Sequence, residues 1–163
     1  MKHPYLDVLI VGAGLSGIGA ACHLKEKCPN VRFGIVERRK RIGGTWDLFR
    51  YPGIRSDSDM FTLGYNFRPW TDTKMLADGL SIRRYIDDTA REYDVKRRIQ
   101  FGLKVISQSW HSEKKHWIVK AIDEATDEEH QFSTGFVFHC TGYYKYDSGY
   151  TPEIPGINQF RGD

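Results

Sequence analysis

Three glycines at the spacing Gly12-x-Gly14-x-x-Gly17, together with the acid Glu37, form the pattern with the most specific chemistry in the sequence. A turn without Cβ atoms lets a pyrophosphate approach the backbone, and a helix that follows directs free N–H groups at the phosphates. An acid about 20 residues after the last glycine accepts hydrogen bonds from a ribose diol, and its charge repels a 2′-phosphate. The pattern therefore predicts a site for FAD or NAD rather than NADP.

The segments around these residues have the periodicity that such a site requires. Asp7–Val11 is an apolar run typical of a strand, and 15–27 has the apolar spacing of a helix. Phe33–Val36 is a second apolar run and ends on Glu37. The order strand, turn, helix, strand and acid predicts a dinucleotide-binding βαβ unit, whereas an ordinary βα turn would not require the acid.

The remaining chain predicts a meander inserted into a parallel sheet. Residues 38–80 are rich in turns, Ser81 is the predicted N-cap, and 82–93 has the spacing of an amphipathic helix. Strands are predicted at 101–110, 116–122 and 129–134, followed by a separate buried strand at 136–140 that ends on Thr141-Gly142. The predicted fold class is α/β, a doubly wound Rossmann-like domain with an antiparallel β-meander at about 100–135.

Composition excludes several classes of protein. The chain has 163 residues, of which 40% are hydrophobic, and a net charge of +3, as expected of one domain or one domain plus a fragment. The basic run 38–41 is interpreted as a solvated loop near cofactor phosphates rather than a nucleic-acid patch, because no other basic face accompanies it. Three cysteines and six histidines without metal-ligand spacing predict reduced thiols and no metal site.

The sequence also bears on location. No apolar run has the length needed to cross a bilayer, and Met1–Tyr5 leads into the first strand without the pattern of a signal peptide. We therefore expect a cytoplasmic protein, with peripheral contact to a membrane left open.

A second glycine pair lies shortly after Glu37, in the run Gly43–Trp46 (Gly-Gly-Thr-Trp). By itself it fits two interpretations equally: a backbone turn with Trp46 beside a flavin ring, or a turn followed by a core tryptophan. The following run, Arg50–Asp59, places a rigid Pro-Gly turn before polar and acidic residues. Together, Gly43–Trp46, Tyr51–Gly53 and Asp57 resemble the flavin-binding signature of Baeyer–Villiger monooxygenases, within the flavin-containing monooxygenases.

The longer string from Gly43 to Trp70, with 140–144 (Cys-Thr-Gly-Tyr-Tyr), is similar to the bacterial ethionamide-activating branch of that family. The resemblance implies FAD contacts throughout the chain. The implied positions are Gly12, Gly14, Ser16 and Gly17 for the pyrophosphate, Glu37 for the ribose, Gly43 and Gly44 for the turn, Thr45, Trp46, Asp47 and Leu48 for the flavin, Val105 for the adenine side, and Thr141 and Gly142 for a second flavin contact. It also implies that Arg55, Ser56 and Asp57 lie where NADP reaches the flavin. Asp57 is the implied catalytic residue, supporting an arginine that stabilises a peroxyflavin.

The resemblance covers nearly the whole chain, but family members are about three times as long. The family fingerprint F-x-G-x-x-x-H-x-x-x-W begins at Phe160-Arg161-Gly162 and stops before its histidine. We therefore expect an FAD-binding domain at 1–155 and, at 156–163, the start of a linker to an NADP-binding domain. The second glycine motif and the stabilising arginine would lie outside the chain, so the 163 residues alone are expected to be inactive.

Three functional hypotheses follow. The first is the FAD-binding part of an NADPH-using monooxygenase. By resemblance, this enzyme converts ketones to esters or oxygenates sulfur with O₂, through a C4a-peroxyflavin. A second is another two-domain flavoprotein, such as an N-hydroxylating monooxygenase; a disulfide reductase would need a C-x-x-x-x-C pair, which the sequence lacks. The third is a non-catalytic module that binds FAD or NAD.

Overall fold

The chain begins with a parallel βαβ unit at the predicted positions. A computed structural model describes residues 1–162, and the unit comprises β1 (Leu6–Val11), α1 (Leu15–Lys27) and β2 (Phe33–Glu37). The two strands pair in parallel from Val8 opposite Phe33 to Val11 opposite Val36. This arrangement brings the glycine turn after β1 and the end of β2 to the same edge of the sheet.

Three helices and four strands follow. They are α2 (Thr45–Leu48), α3 (Met60–Leu63), α4 (Gly79–Glu92), β3 (Ile99–Phe101), β4 (Leu103–His111), β5 (His116–Asp123) and β6 (Glu129–His139). Single 3₁₀ turns lie at Lys96–Arg98 and Ile157–Gln159. No helix within residues 1–162 combines the length and apolar character that a membrane span requires.

All six strands form one mixed sheet in the order β3-β2-β1-β6-β5-β4. The predicted strand 129–134 and the predicted separate strand 136–140 are one continuous strand, β6, so that part of the prediction was wrong. The first half of β6 pairs antiparallel with β5, and the second half pairs in parallel with β1. β6 changes its partner at Thr134 rather than turning, so Gly135, which separates the two predicted strands in the sequence, lies inside one extended strand. A Cβ on Gly135 would lie 2.8 Å from the Tyr5 hydroxyl oxygen, so this glycine allows a close contact and does not form a turn.

The two faces of the sheet carry separate hydrophobic clusters. On one face, Ile10 and Ile35 pack with residues of α1 and α4, including Ile18 and Ile86. On the opposite face, buried residues of β1 and β2 meet buried residues of the meander: Leu9, Val11, Val36, Leu103, Val119, Ala121 and Phe132. The meander therefore folds over the second face of the parallel strands and forms part of their core.

The second half of β6 is less buried than its apolar sequence predicts. Phe136 and Phe138 are 57% and 43% exposed, while Val137 between them packs against the core cluster of the meander. Phe136 and Phe138 pair with Val8 and Ile10 and therefore lie on the helix-bearing face. Their exposure shows that α1 and α4 leave this part of the face uncovered within residues 1–162.

Helix α4 begins before the predicted position. Its N-cap is Asp78, whose side chain accepts a hydrogen bond from the Ser81 N–H, so the predicted N-cap at Ser81 was wrong. The Ser81 hydroxyl also donates to Asp78, at 3.0 Å. An aspartate three residues before the bonded amide competes well for the cap, because its carboxylate is a stronger acceptor than a hydroxyl.

Aromatic residues fix the long segment between β2 and α4. Tyr65 stacks on Phe67 and Tyr85, and the Tyr65 hydroxyl donates to the Leu15 carbonyl at 2.6 Å. The Tyr85 hydroxyl accepts the Tyr65 N–H at 2.8 Å. The turn-rich segment is therefore anchored to both α1 and α4. The predicted boundary at 155/156 stays a prediction; Asp163 lies outside the described residues.

Candidate functional site

The turn between β1 and α1 leaves no room for side chains at two glycines. Gly12 has a φ of +107°, and a Cβ placed there would lie 2.5 Å from the Cys140 carbonyl oxygen. A Cβ on Gly17 would lie 1.9 Å from the Gly12 carbonyl oxygen. The absence of both Cβ atoms brings the first turn of α1 against the ends of β1 and β6.

The first turn of α1 also leaves backbone donors available. Its N-cap is Gly14, with no side-chain cap and no acidic residue in the first turn. The first N–H groups of a helix have no intrahelical partner, and the helix dipole places partial positive charge there. These features favour a bound phosphate at this end of the helix.

Glu37 is held beside the same turn. Its side chain is only 6% exposed; Oε2 accepts the Ala13 N–H at 2.7 Å, and Oε1 accepts the Arg39 N–H at 2.8 Å. Each carboxylate oxygen can accept more than one hydrogen bond, so ligand hydroxyls can still bind to it. The two backbone bonds orient the carboxylate before any ligand arrives.

The second glycine pair is joined directly to the first motif. The Gly43 N–H donates to the Ala13 carbonyl at 3.0 Å. A Cβ on Gly44 would lie 3.0 Å from the Gly14 Cα, so the two backbones touch. The two runs that the sequence identifies separately are therefore parts of a single wall.

One cavity of about 560 Å³ follows this wall. The predicted site residues that line it are Gly12, Gly14, Ser16, Glu37, Gly43, Gly44, Thr45, Trp46, Val105, Thr141 and Gly142. They come from the ends of β1, β2 and β6, from β4 and from the second glycine pair. A site that places phosphate-binding donors beside a ribose-binding acid has the polarity to bind a dinucleotide. We call it the cofactor cavity.

The other predicted site residues do not line the cofactor cavity. Gly17 is buried beneath the turn, and Leu48 lines a small basic cavity with Arg38–Arg41. Ser56 is 2% exposed; its N–H donates to the Ala77 carbonyl and its hydroxyl to the Ser58 carbonyl. Ser56 therefore holds its loop through backbone groups.

Asp47 is turned away from the cofactor cavity and forms the centre of an arginine cluster. It is 3% exposed, and its Oδ2 lies 2.7 Å from Arg39 Nη2. Its Oδ1 lies 3.4 Å from Arg50 Nη2 and 3.8 Å from Arg83 Nη1. Arg39 and Arg50 also donate to the Asp47 carbonyl. We call these four residues the Asp47 clamp; it fixes the turn of Trp46 against the residues that follow Glu37.

Asp57 is exposed and is not among the residues that line the cofactor cavity. The pKa of Tyr144, which lines that cavity, is raised chiefly by its hydrogen bond with Tyr143 and further by the charges of Tyr51 and Asp57. Arg55 lines a neighbouring cavity. The predicted NADP-facing run 55–57 is therefore split between a buried serine and two exposed charged residues.

An ion-pair network closes the other end of the cofactor cavity. Arg38 donates to both oxygens of Glu124 at 2.8 and 3.0 Å and to Asp147 at 2.9 Å. Hydrogen bonding to Arg38 lowers the pKa of both carboxyl groups, and the same bonds raise the pKa of Arg38. The network links the end of β2 to the turn between β5 and β6 and to residues that follow Gly142.

Comparison with known proteins finds relatives that are named as monooxygenases. The family model of NAD(P)-binding Rossmann-like domains matches residues 10–74. The FAD-containing monooxygenase MymA of Mycobacterium tuberculosis is 56% identical over 158 residues, which are 97% of this chain and 32% of the relative. The FAD-binding monooxygenase AlmA of an Acinetobacter species is 52% identical, over 96% of this chain and 31% of AlmA. The chain is a homologue of the FAD-containing monooxygenases.

This homologue spans about a third of the length of the curated relatives it matches. Its fold matches a solved steroid monooxygenase bound to NADP, with a TM-score of 0.79 and 27% identity over 98% of this chain and 30% of that structure. OTEMO in complex with FAD and NADP matches with a TM-score of 0.78 and 28% identity, over 99% and 30% of the two chains. The predicted Rossmann-like fold and monooxygenase resemblance are confirmed.

The homologue's cavity also contains residues that sequence reasoning missed. They are Val11, Leu15, Val36, Leu103, Lys104, Cys140, Tyr143, Tyr144, Lys145, Tyr146 and Asp147. Arg38 and Arg39 also line the cavity, and the sequence predicted their basic loop near the cofactor phosphates. Positions next to a predicted contact, such as Tyr143 after Gly142, could have been found from that adjacency. No local signal marks Asp147, because it reaches the cavity through its ion pair with Arg38.

Proposed function

We propose that this chain forms the FAD-binding part of a flavin-dependent, NADPH-using monooxygenase. The observation that carries the proposal is the union of both glycine motifs and Glu37 in one cavity. The residues fit the cofactor: a Cβ at Gly12 or Gly17 would clash with the turn, α1 offers uncapped N–H groups, and Glu37 is oriented for a ribose. FAD and NADP in the relatives' names and structures support the same assignment.

In this proposal the chain's own residues bind and orient the cofactor. The N–H groups at the start of α1 receive the pyrophosphate, Glu37 accepts the ribose hydroxyls, and Trp46 and Thr141 line the flavin end of the cavity. When bound, FAD supplies the redox and oxygen chemistry. The Asp47 clamp holds the turn of Trp46 in place. The exposed Asp57, which the resemblance implies is catalytic, would add negative charge near the reacting end.

The substrates of the whole protein belong to the same proposal. Relatives named as monooxygenases support a small organic substrate and O₂, and a ketone or a sulfur compound is the proposed class, with NADPH as reductant. The residues that would bind NADPH and stabilise the oxygenating species are expected outside this chain.

Titration of the chain with FAD, NAD and NADP tests the cofactor assignment. FAD is expected to bind most tightly, and Glu37→Gln should weaken FAD binding, since a charge-assisted hydrogen bond contributes roughly 1.5–3 kcal/mol. Glu113→Gln, an exposed change in the turn between β4 and β5, is the matched control.

Thermal unfolding of both variants without ligand separates loss of folding from loss of binding. Tighter binding of NADP than of FAD, or equal FAD affinity of the Glu37→Gln and Glu113→Gln chains, would contradict the assignment.

A further inference from the structure

A second cavity, larger than the cofactor cavity, has a volume of about 710 Å³. It shares Trp46 with the cofactor cavity, and its other walls come from residues 41–55 and from 74–83 at the start of α4. FAD binding in the cofactor cavity leaves this second space without an assigned ligand. We call it the lateral cavity.

Several side chains that line the lateral cavity are apolar and open to solvent. Ile54, Leu76 and Leu80 line it together with the aromatic rings of Phe49 and Tyr51. Leu80 is 66% exposed, Tyr51 61% and Leu76 40%. A ligand with a hydrocarbon body would remove this surface from water, at roughly 25 cal/mol for each Å² of apolar area buried.

The charged side chains of the lining carry an excess of positive charge. Five cationic side chains line the cavity, against two carboxylates: Arg41, Arg50, Arg55, Lys74 and Arg83, with Asp47 and Asp78. Both carboxylates are already engaged, Asp47 in its clamp and Asp78 as the N-cap of α4.

Two of these cations are available to a ligand. Arg41 and Arg55 are exposed and form no ion pair within residues 1–162. Arginine presents a planar fork of donors that matches a carboxylate in a bidentate arrangement. The rest of the lining includes aliphatic and aromatic side chains, which offer few partners to the hydroxyls of a sugar or a nucleotide.

We propose that the lateral cavity binds an amphiphilic carboxylate, with its hydrocarbon body against Ile54, Leu76 and Leu80 and its carboxylate on Arg41 and Arg55. The charge selects an anion, and the apolar wall selects one with a hydrocarbon chain. This site shares only Trp46 with the cofactor cavity, so binding there does not require FAD.

Calorimetric titration of the chain with decanoate, below the concentration at which it forms micelles, tests the proposal. One decanoate per chain is expected, bound about tenfold more tightly than decanol, which keeps the hydrocarbon chain but lacks the charge. The double change Arg41→Gln/Arg55→Gln should bring decanoate to the affinity of decanol. The control Lys27→Gln/Lys114→Gln removes the same charge from exposed positions outside the cavity and should leave the affinity unchanged.

A variant of the apolar lining and a competition experiment with NADP also test the proposal. Leu80→Ser should weaken decanoate and decanol alike, as expected of a contact with the hydrocarbon chain. Equal affinity for decanoate and decanol, or an equal loss in both double variants, would overturn the proposal. Displacement of decanoate by NADP at lower concentrations than FAD requires would instead identify a dinucleotide site. FAD titrations run in parallel report on the cofactor cavity alone, so the two proposals fail separately.

Discussion

At the scale of single residues, a side chain beside the site can act without facing it. Asp47 was predicted to line the flavin, yet its carboxylate is buried among Arg39, Arg50 and Arg83. Since Arg39 also donates its N–H to Glu37, the clamp links the turn of Trp46 to the predicted ribose acid. Its role in the structure is to position two predicted contacts relative to each other.

Removing the charge of Asp47 should therefore affect both stability and cofactor binding. Asp47→Asn is expected to lower the free energy of unfolding by about 1–3 kcal/mol, because three arginines lose a buried partner but remain partly exposed to water. FAD affinity should fall as well, as the turn of Trp46 loosens. Chemical denaturation and FAD titration measure the two effects.

Asp127→Asn makes the same chemical change at an exposed position between β5 and β6, and should alter neither quantity. An Asp47→Asn chain with wild-type stability and FAD affinity would show that the clamp positions nothing.

The predictable residues are those whose role is dictated by their own backbone. The tight turn at Gly12 and the close packing at Gly17 follow from spacing, because any Cβ there meets the chain itself. The Asp47 clamp was not predictable as a whole: Arg50 lies three residues after Asp47, but Arg39 and Arg83 come from separate segments that no periodicity relates to it. Asp147 could not be predicted for the same reason, because its link to the site is its ion pair with Arg38.

At the scale of elements, helix α4 shows how an N-cap sets a boundary. Hydrogen bonds from the Ser81 backbone, then from its hydroxyl and from Lys74, hold the pKa of Asp78 below its ordinary value of 3.8. A carboxyl group whose pKa is lower in the folded state stabilises the fold above its unfolded pKa, and that stabilisation is lost as pH falls through the folded pKa. The Asp78 contribution is therefore complete at neutral pH and disappears in acid below about pH 4.

Asp78→Ala tests this linkage. At pH 7 the variant should lose about 1 kcal/mol of unfolding free energy, a usual value for an N-cap. The difference from wild type should shrink as the pH falls below about 5. Asp78→Asn keeps a capping oxygen without a titrating group, and should lose less at pH 7. Urea denaturation at several pH values measures these differences. If the difference in unfolding free energy between the wild type and Asp78→Ala stays constant with pH, the titration argument is refuted.

Element types were predictable because their periodicity is local, and the βαβ unit lies where the sequence places it. The point inside β6 where the pairing partner changes was not predictable, because a strand that exchanges one partner for another keeps its extended backbone throughout. The exposure of Phe136 was missed for a related reason. An apolar run predicts a buried strand only if something covers both of its faces.

At the scale of the whole molecule, the meander is part of the dinucleotide-binding core. Leu9 and Val36 of the parallel strands share a buried cluster with Val119 and Phe132 of the meander. Strand β6 also runs through both regions without a break. Two regions that share one core and one strand should unfold together, although their strands were predicted as separate units.

The cooperative core predicts different outcomes for two phenylalanines on the same strand. Phe132 is fully buried, so Phe132→Ala should lower the free energy of unfolding by about 3–5 kcal/mol through lost burial and the cavity left behind. Phe136 is 57% exposed, so Phe136→Ala should lower the free energy of unfolding by less than about 1 kcal/mol.

Two spectroscopic signals test whether the chain unfolds as one unit. Tryptophan fluorescence includes Trp117 of the meander, and far-ultraviolet circular dichroism follows the helices. During denaturation both signals should give one coincident transition for each chain. In Phe132→Ala both signals should shift together, because the meander and the βαβ unit are stabilised by the same cluster. A fluorescence transition that moves while the helical signal stays in place would show that the meander unfolds independently.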